Sequence, residues 1–145
     1  MDLQTLLDER AIEQQLYRFA RAMDSRDWDT LAAICSPDIV AEFGTGEVRG
    51  SEAVVELIRS YLDNCGVTQH LLGNVLVSVE GDSARSEAYV ADLHLSRQTE
   101  SGDYFRTLGN YSDRWQRVDG DWRLAERRKD NRALMGSMDV FKPAS

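Results

Sequence analysis

Ala88-Tyr89-Val90-Ala91-Asp92-Leu93-His94 sets Ala88, Val90, Asp92 and His94 on one side of an extended chain and Tyr89, Ala91 and Leu93 on the other. A period of two is the mark of a β-strand with one face turned inward. The same period holds on both sides of this run. It predicts four strands, at about 67–79, 83–95, 103–118 and 121–131. Glu80-Gly81-Asp82, a loop with Ser101-Gly102-Asp103, and Val118-Asp119-Gly120-Asp121 join them as antiparallel hairpins.

Upstream of Gly66 the period is that of a helix. Leu3, Leu6, Leu7, Ala11, Ile12, Leu16, Phe19, Ala20 and Met23 recur at three- and four-residue steps, predicting a helix over about 3–23. Asp24, Ser25 and Asp27 interrupt it and cap a short second helix carrying Trp28, Leu31, Ala32 and Ile34, which Pro37 ends. Ile39–Phe43 and Glu47–Arg49 flank Gly44-Thr45-Gly46 as a small hairpin. Ser51 caps a third helix with Val54, Leu57, Ile58 and Leu62 buried, ending near Gly66. Three helices followed by an antiparallel meander predict an α+β fold, with the helices across a curved sheet and a conical cavity between. The domain is expected to span 1–136, with 137–145 a weakly patterned tail.

The chain has 145 residues and a formal charge of −8. That charge argues against nucleic acid and anionic membrane surfaces as partners. No apolar run approaches the ~20 residues of a bilayer span, and Met1-Asp2-Leu3-Gln4 has no leader character, so a cytoplasmic location is expected. Cys35 and Cys65 lie thirty positions apart, which is not metal-ligand spacing, and are expected to be small buried hydrophobes. No phosphate loop, serine elbow or helical histidine pair is present. The chemistry expected is proton transfer without cofactor or metal.

Only two histidines occur, His70 and His94. His70 alternates with Leu72, Asn74 and Leu76. The other face of its strand, Leu71, Val75, Val77 and Val79, is the denser apolar one and is expected to meet helices or a partner subunit. Asp24 ends the inward stripe of the first helix, either as a cap or as a pocket residue; Asp27 is as well placed to cap. A carboxylate beside a histidine fixes its tautomer and stabilises the imidazolium that forms in catalysis. His94 is either a second acid or base or a hydrogen-bonded strand-end residue. Asn110 is a neutral donor in a strand. In the last strand Arg123, Arg127, Arg128, Lys129 and Arg132 are expected to be mostly a solvated edge, with Arg127 the candidate for pointing inward to an anionic group. Tyr17, Trp28 and Tyr89 are expected, with Asn110, to contact substrate.

These features together resemble the SnoaL-like branch of the nuclear transport factor 2-like superfamily. The carriers are Asp8-Glu9-Arg10-Ala11-Ile12, Asp24-Ser25-Arg26-Asp27-Trp28, Ser36-Pro37-Asp38, Thr68-Gln69-His70, Gly109-Asn110-Tyr111-Ser112-Asp113 and Asp121-Trp122-Arg123-Leu124-Ala125-Glu126-Arg127. The likeness is greatest to the group of scytalone dehydratase, hexachlorocyclohexane dehydrochlorinase and bile acid 7-alpha dehydratase. It implies a cone-shaped α+β barrel, a homodimer or homotrimer, and an Asp–His pair at Asp24 and His70. It also implies a helper arginine at Arg127, a second active-site histidine at His94 and, more loosely, an asparagine at Asn110. The expected activity is a cofactor-independent lyase acting on a small hydrophobic cyclic, polyketide- or steroid-like molecule. The alternatives are an isomerase or cyclase using the same base, or a non-catalytic binding or oligomerising module.

Overall fold

A computed structural model describes residues 2–143; Met1 and the last two residues of the expected tail lie outside the described residues. Helix α1 (Leu3–Ser25) starts at Asp2, whose carboxylate accepts the Thr5 N–H at 2.8 Å. Its inward stripe is Ile12, Leu16, Phe19, Ala20 and Met23. Leu3, Leu6 and Leu7, expected in that stripe, are exposed, and Asp8 is buried in the first turns instead. Asp8 grips Arg117 through both oxygens, at 2.8 and 2.9 Å. The helix stops because Arg26 turns left-handed (φ 59°), a conformation that costs a non-glycine residue about 1–2 kcal/mol. Offsetting bonds run from its guanidinium to Met23 O, Thr68 Oγ1 and Gly66 O.

Helix α2 (Trp28–Ile34) is capped by Asp27, which accepts the Thr30 N–H at 3.1 Å. Strand β1 (Cys35–Glu42) follows at once, then β2 (Glu47–Arg49) and helix α3 (Ser51–Leu62). The meander is β3 (Thr68–Glu80), β4 (Ser83–Leu95), β5 (Tyr104–Val118) and β6 (Asp121–Gly136). One sheet contains all six strands in the order β2-β1-β6-β5-β4-β3. It is curved and does not close, since β2 and β3 are its edges; every pairing is antiparallel except β1 with β6. The expected solvated edge is therefore the middle of the sheet: β6 lies between β1 and β5.

Irregularities in β3 and β6 change which side chains face inward, among them an extra Arg132 that brings Leu134 to the cavity. Gly73 pairs with Tyr89 and Leu76 with Glu87, so Asn74 and Val75 together oppose Ala88. Asn74 adopts φ 51° there. This bulge moves Val75, Val77 and Val79 onto the His70–Leu72 face, where they pack on the core, and turns Leu76 outward. In β6 the register shifts where Arg114 and Trp115 face Glu126 and Leu124, and Ala125 is the extra residue. Beyond it Arg127 and Lys129 point inward.

The core fills the space between helices and sheet with Ile12, Leu16, Phe19, Leu31, Val54, Trp115 and Leu124. Cys35 and Cys65 are free and buried, and burial pushes the Cys35 thiol up to about 11. The segment after Gly136, expected to lack pattern, forms a 3-10 turn (Met138–Phe141) that packs back on the open end of the sheet. Among the described residues no helix is long and apolar enough to cross a membrane.

Candidate active site

The site is built around the last turn of α1. Because Asp27 caps α2 and Arg26 ties the helix end to Thr68 and Gly66, Asp24 is held against the start of β3 with its carboxylate uncommitted to helix capping. Its Oδ1 lies 2.7 Å from His70 Nδ1 and accepts the Thr68 hydroxyl at 2.9 Å; its Oδ2 accepts the His70 backbone N–H at 3.0 Å. Burial raises the Asp24 carboxyl, but the bonds from the His70 ring, the His70 backbone and Thr68 outweigh it and hold the group below its ordinary value. An ionised carboxylate only accepts, so His70 carries its proton on Nδ1 and its Nε2 is left with a lone pair.

His70 is one wall of a cavity of about 260 Å³ at the open end of the sheet. Phe43, Leu57, Ile58, Tyr61, Phe105 and Phe141 are among its apolar lining. His94 crosses His70 edge-on, with ring centroids 5.4 Å apart, and meets Phe141 in a second edge-to-face contact at 4.9 Å. Its Nδ1 lies 3.0 Å from the Phe105 carbonyl oxygen, which fixes the proton on that nitrogen. Burial pushes the His94 ring down to about 4, against the pull of Asp92, so the ring is neutral near pH 7.

Behind the histidines is a buried polar cluster. Asp92 Oδ1 accepts the Thr107 N–H at 2.9 Å, and Oδ2 accepts the Thr107 hydroxyl and the Lys129 ammonium, both at 2.7 Å. Lys129 also donates to Thr107 Oγ1 at 2.8 Å. Burial raises Asp92, but the charge and hydrogen bond of Lys129, with help from Thr107, hold it below its ordinary value. His70, Asp92 and His94 each offer a ligand atom within 4.8 Å of the others, the spacing of a metal-binding trio. The donors do not fit a divalent cation, because the Lys129 ammonium already supplies the positive charge at Asp92.

Of the eight side chains expected in the site, the structure brings Asp24, His70 and His94 together. Arg127 points inward, as its position allows, but does not line the cavity. It is bonded twice to Asp113, each at 2.9 Å, and sandwiched between Phe19 and Tyr111, 4.4 and 3.8 Å from their ring centres. Tyr89 and Asn110 are corrected to the outer face of the sheet. On β4 the even-numbered residues are buried, so Tyr89 stands opposite in parity to His94, packed beneath Arg132. Its cross-strand partner Asn110 bonds to Glu87 at 2.6 Å. Trp28 lies in a surface groove between α2 and α3 under Arg59. Tyr17 lines a shallow groove on the far side of the Asp24–His70 pair.

Asp92, Thr107 and Lys129 were not foreseen as site residues. Two signals pointed to them. Asp92 shares a face with His94, and Lys129 stands two places from Arg127, on the same face of the strand.

The model of the SnoaL-like domain matches residues 4–128 of the chain. An uncharacterised protein of Mycobacterium tuberculosis is 28% identical over 125 residues, covering 83% of this chain and 82% of that protein. Among solved structures, a candidate scytalone dehydratase from Novosphingobium aromaticivorans superposes with a TM-score of 0.84 at 20% identity, covering 92% of this chain and 89% of that one. The type-3 hexachlorocyclohexane dehydrochlorinase of Novosphingobium barchaimii superposes at 0.82 with 20% identity, covering 94% of each chain. At these identities the likeness establishes the nuclear transport factor 2-like fold. With a family model matching most of its length, the chain belongs to the SnoaL-like domain family.

Proposed function

We propose that the chain is a cofactor-independent lyase that removes water or another leaving group from a small hydrophobic cyclic substrate. The observation that carries this reading is the 2.7 Å contact between Asp24 and a His70 that faces an apolar cavity. His70 Nε2 takes a proton from carbon, Asp24 steadies the imidazolium, and the same proton leaves with the departing group. Proteins of similar fold named for dehydratase and dehydrochlorinase activity support the class of reaction. The cavity, at about 260 Å³, is below the roughly 300 Å³ at which sites for drug-sized ligands begin. That favours substrates of one or two rings over a whole steroid.

An isomerase or cyclase would use the same base without expelling a group, and product analysis separates the three. The test is a thermal-shift screen of cyclic ketones, hydroxysteroids and polyketide-like phenols, followed by turnover of the hits. Asp24→Asn and His70→Ala are expected to keep the fold and lose on the order of 10² to 10⁴ in kcat. Unchanged turnover in both folded variants sinks the base assignment, and hits that bind the native protein without being turned over leave a binding module.

A further inference from the structure

The lysine behind the histidines has one donor too many for a purely structural role. An ammonium offers three N–H groups and no acceptor. Lys129 spends two, on Asp92 Oδ2 and Thr107 Oγ1, and among the described residues no acceptor takes the third. Its side chain is nearly buried and lines the same cavity as His70. Asp92 already receives three hydrogen bonds, two from Thr107 and one from Lys129. The cluster therefore offers the cavity a positive donor in a largely apolar lining. The other inward cation, Arg127, is shut away by Asp113, Phe19 and Tyr111.

We propose that Lys129 binds the carbonyl oxygen of the substrate and holds it as that oxygen becomes an enolate, so that the substrate class is a cyclic ketone with a leaving group on the β carbon. This rests on His70 being the base. A ring nitrogen of His70 lies within 4.8 Å of an Asp92 oxygen, and Lys129 Nζ lies 2.7 Å from Asp92, so one ketone and its α carbon can meet both groups. His70 Nε2 removes the α proton. The C–H electron pair forms the C=C bond, and the carbonyl π pair moves onto the oxygen facing Lys129. The pair then returns to re-form C=O, the new double bond shifts to the α and β carbons, and the β C–O bond breaks. The leaving oxygen takes the bond's electrons and the proton from His70, giving water and a conjugated ketone. A preorganised charged donor in a water-poor cavity is the type of group that stabilises such an oxyanion.

The probe is 2-naphthol, whose naphtholate form mimics an enolate, with naphthalene as its uncharged counterpart. Lys129→Met alone leaves Asp92 buried and unpaired, so the comparison is made between Asp92→Asn and the double variant Asp92→Asn/Lys129→Met. Adding Lys129→Met is expected to weaken naphtholate binding about 10- to 100-fold, the worth of one charge-assisted hydrogen bond, and to leave naphthalene affinity unchanged. The fluorescence titration of bound naphthol should show its ionisation shifted down in the single variant and not in the double. Equal naphtholate affinity in the two variants, or a native protein that binds naphthalene and naphtholate alike, overturns the proposal. Asp24→Asn separates this from the base assignment. It should abolish turnover and keep the naphtholate preference, whereas full turnover in Asp24→Asn with the Lys129 result intact removes the base and leaves the anion site standing.

Discussion

Asp24 and Asp27 stand three positions apart, yet only one is available to a cavity. Asp27 is committed to Thr30, accepting its N–H at 3.1 Å and its hydroxyl at 2.7 Å. That frees Asp24 for His70. Helix phase places Asp24 inward, but plain parity turns the face opposite His70 toward the helices, so the pairing was legible through the resemblance carried by Thr68-Gln69-His70. Lys129 was not, because charged residues in a terminal strand look like an edge until the strand is known to lie mid-sheet. Burial gives His94 a measurable signature. Its ring is held down to about 4 in the folded protein, against an ordinary 6.5. The unfolded chain therefore takes up this proton first as pH falls. The stability that His94 contributes is complete above about pH 6.5 and drains away toward pH 4. Between about pH 7.5 and pH 5 this amounts to about 2 kcal/mol. Urea unfolding of His94→Gln at the two pH values is expected to show a loss smaller by that amount than the native protein.

Among the elements, β3 departs from simple alternation at a single residue. Strict alternation assigns Val75, Val77 and Val79 to the face away from His70. The bulge at Asn74 brings them onto the same face, against α1. A single asparagine in a run of strand residues carries little sign of this, although the left-handed conformation at φ 51° is one that asparagine tolerates. Inserting one alanine between Asn74 and Val75 slips the strand by one residue beyond the bulge and turns the three valines away from α1. The expected cost is on the order of 3 kcal/mol or more from lost apolar burial. Asn74→Gly keeps the bulge and should change stability by less than about 1 kcal/mol. Thermal melts of the two variants check the contrast.

At the scale of the whole molecule, the α+β class, the three helices and the order of the four long strands were legible from period and turn residues. The place of β6 was not, because its parallel pairing with β1 joins segments some ninety residues apart and leaves no local trace. The tail from Ser137 likewise gives no periodic signal, yet Phe141 closes the cavity against His94 and Phe105. We propose as well that the chain self-associates, as a dimer or trimer, through the outer face of the sheet. Leu71, Ala91 and Leu108 form one cross-strand row there, with exposed Leu93 and Tyr89 beside it. Sedimentation equilibrium should give a mass of two or three chains for the native protein and of one chain for Leu71→Lys/Leu108→Lys; a native monomer rejects the idea.

His70 belongs to two surfaces at once. One side of its ring borders the cavity, and the residue also lines the shallow groove that Tyr17, Arg21, Ser25 and Gln69 share with Asp24 on the outside. In the proposed lyase that gives the imidazolium two exits. A substrate seated in the cavity plugs the inner one, while the Nδ1 proton can still pass by way of Asp24 to bulk water. Turnover in heavy water would then exchange the Nδ1 hydrogen through Asp24, while the hydrogen taken from carbon stays on Nε2 and passes undiluted to the departing group.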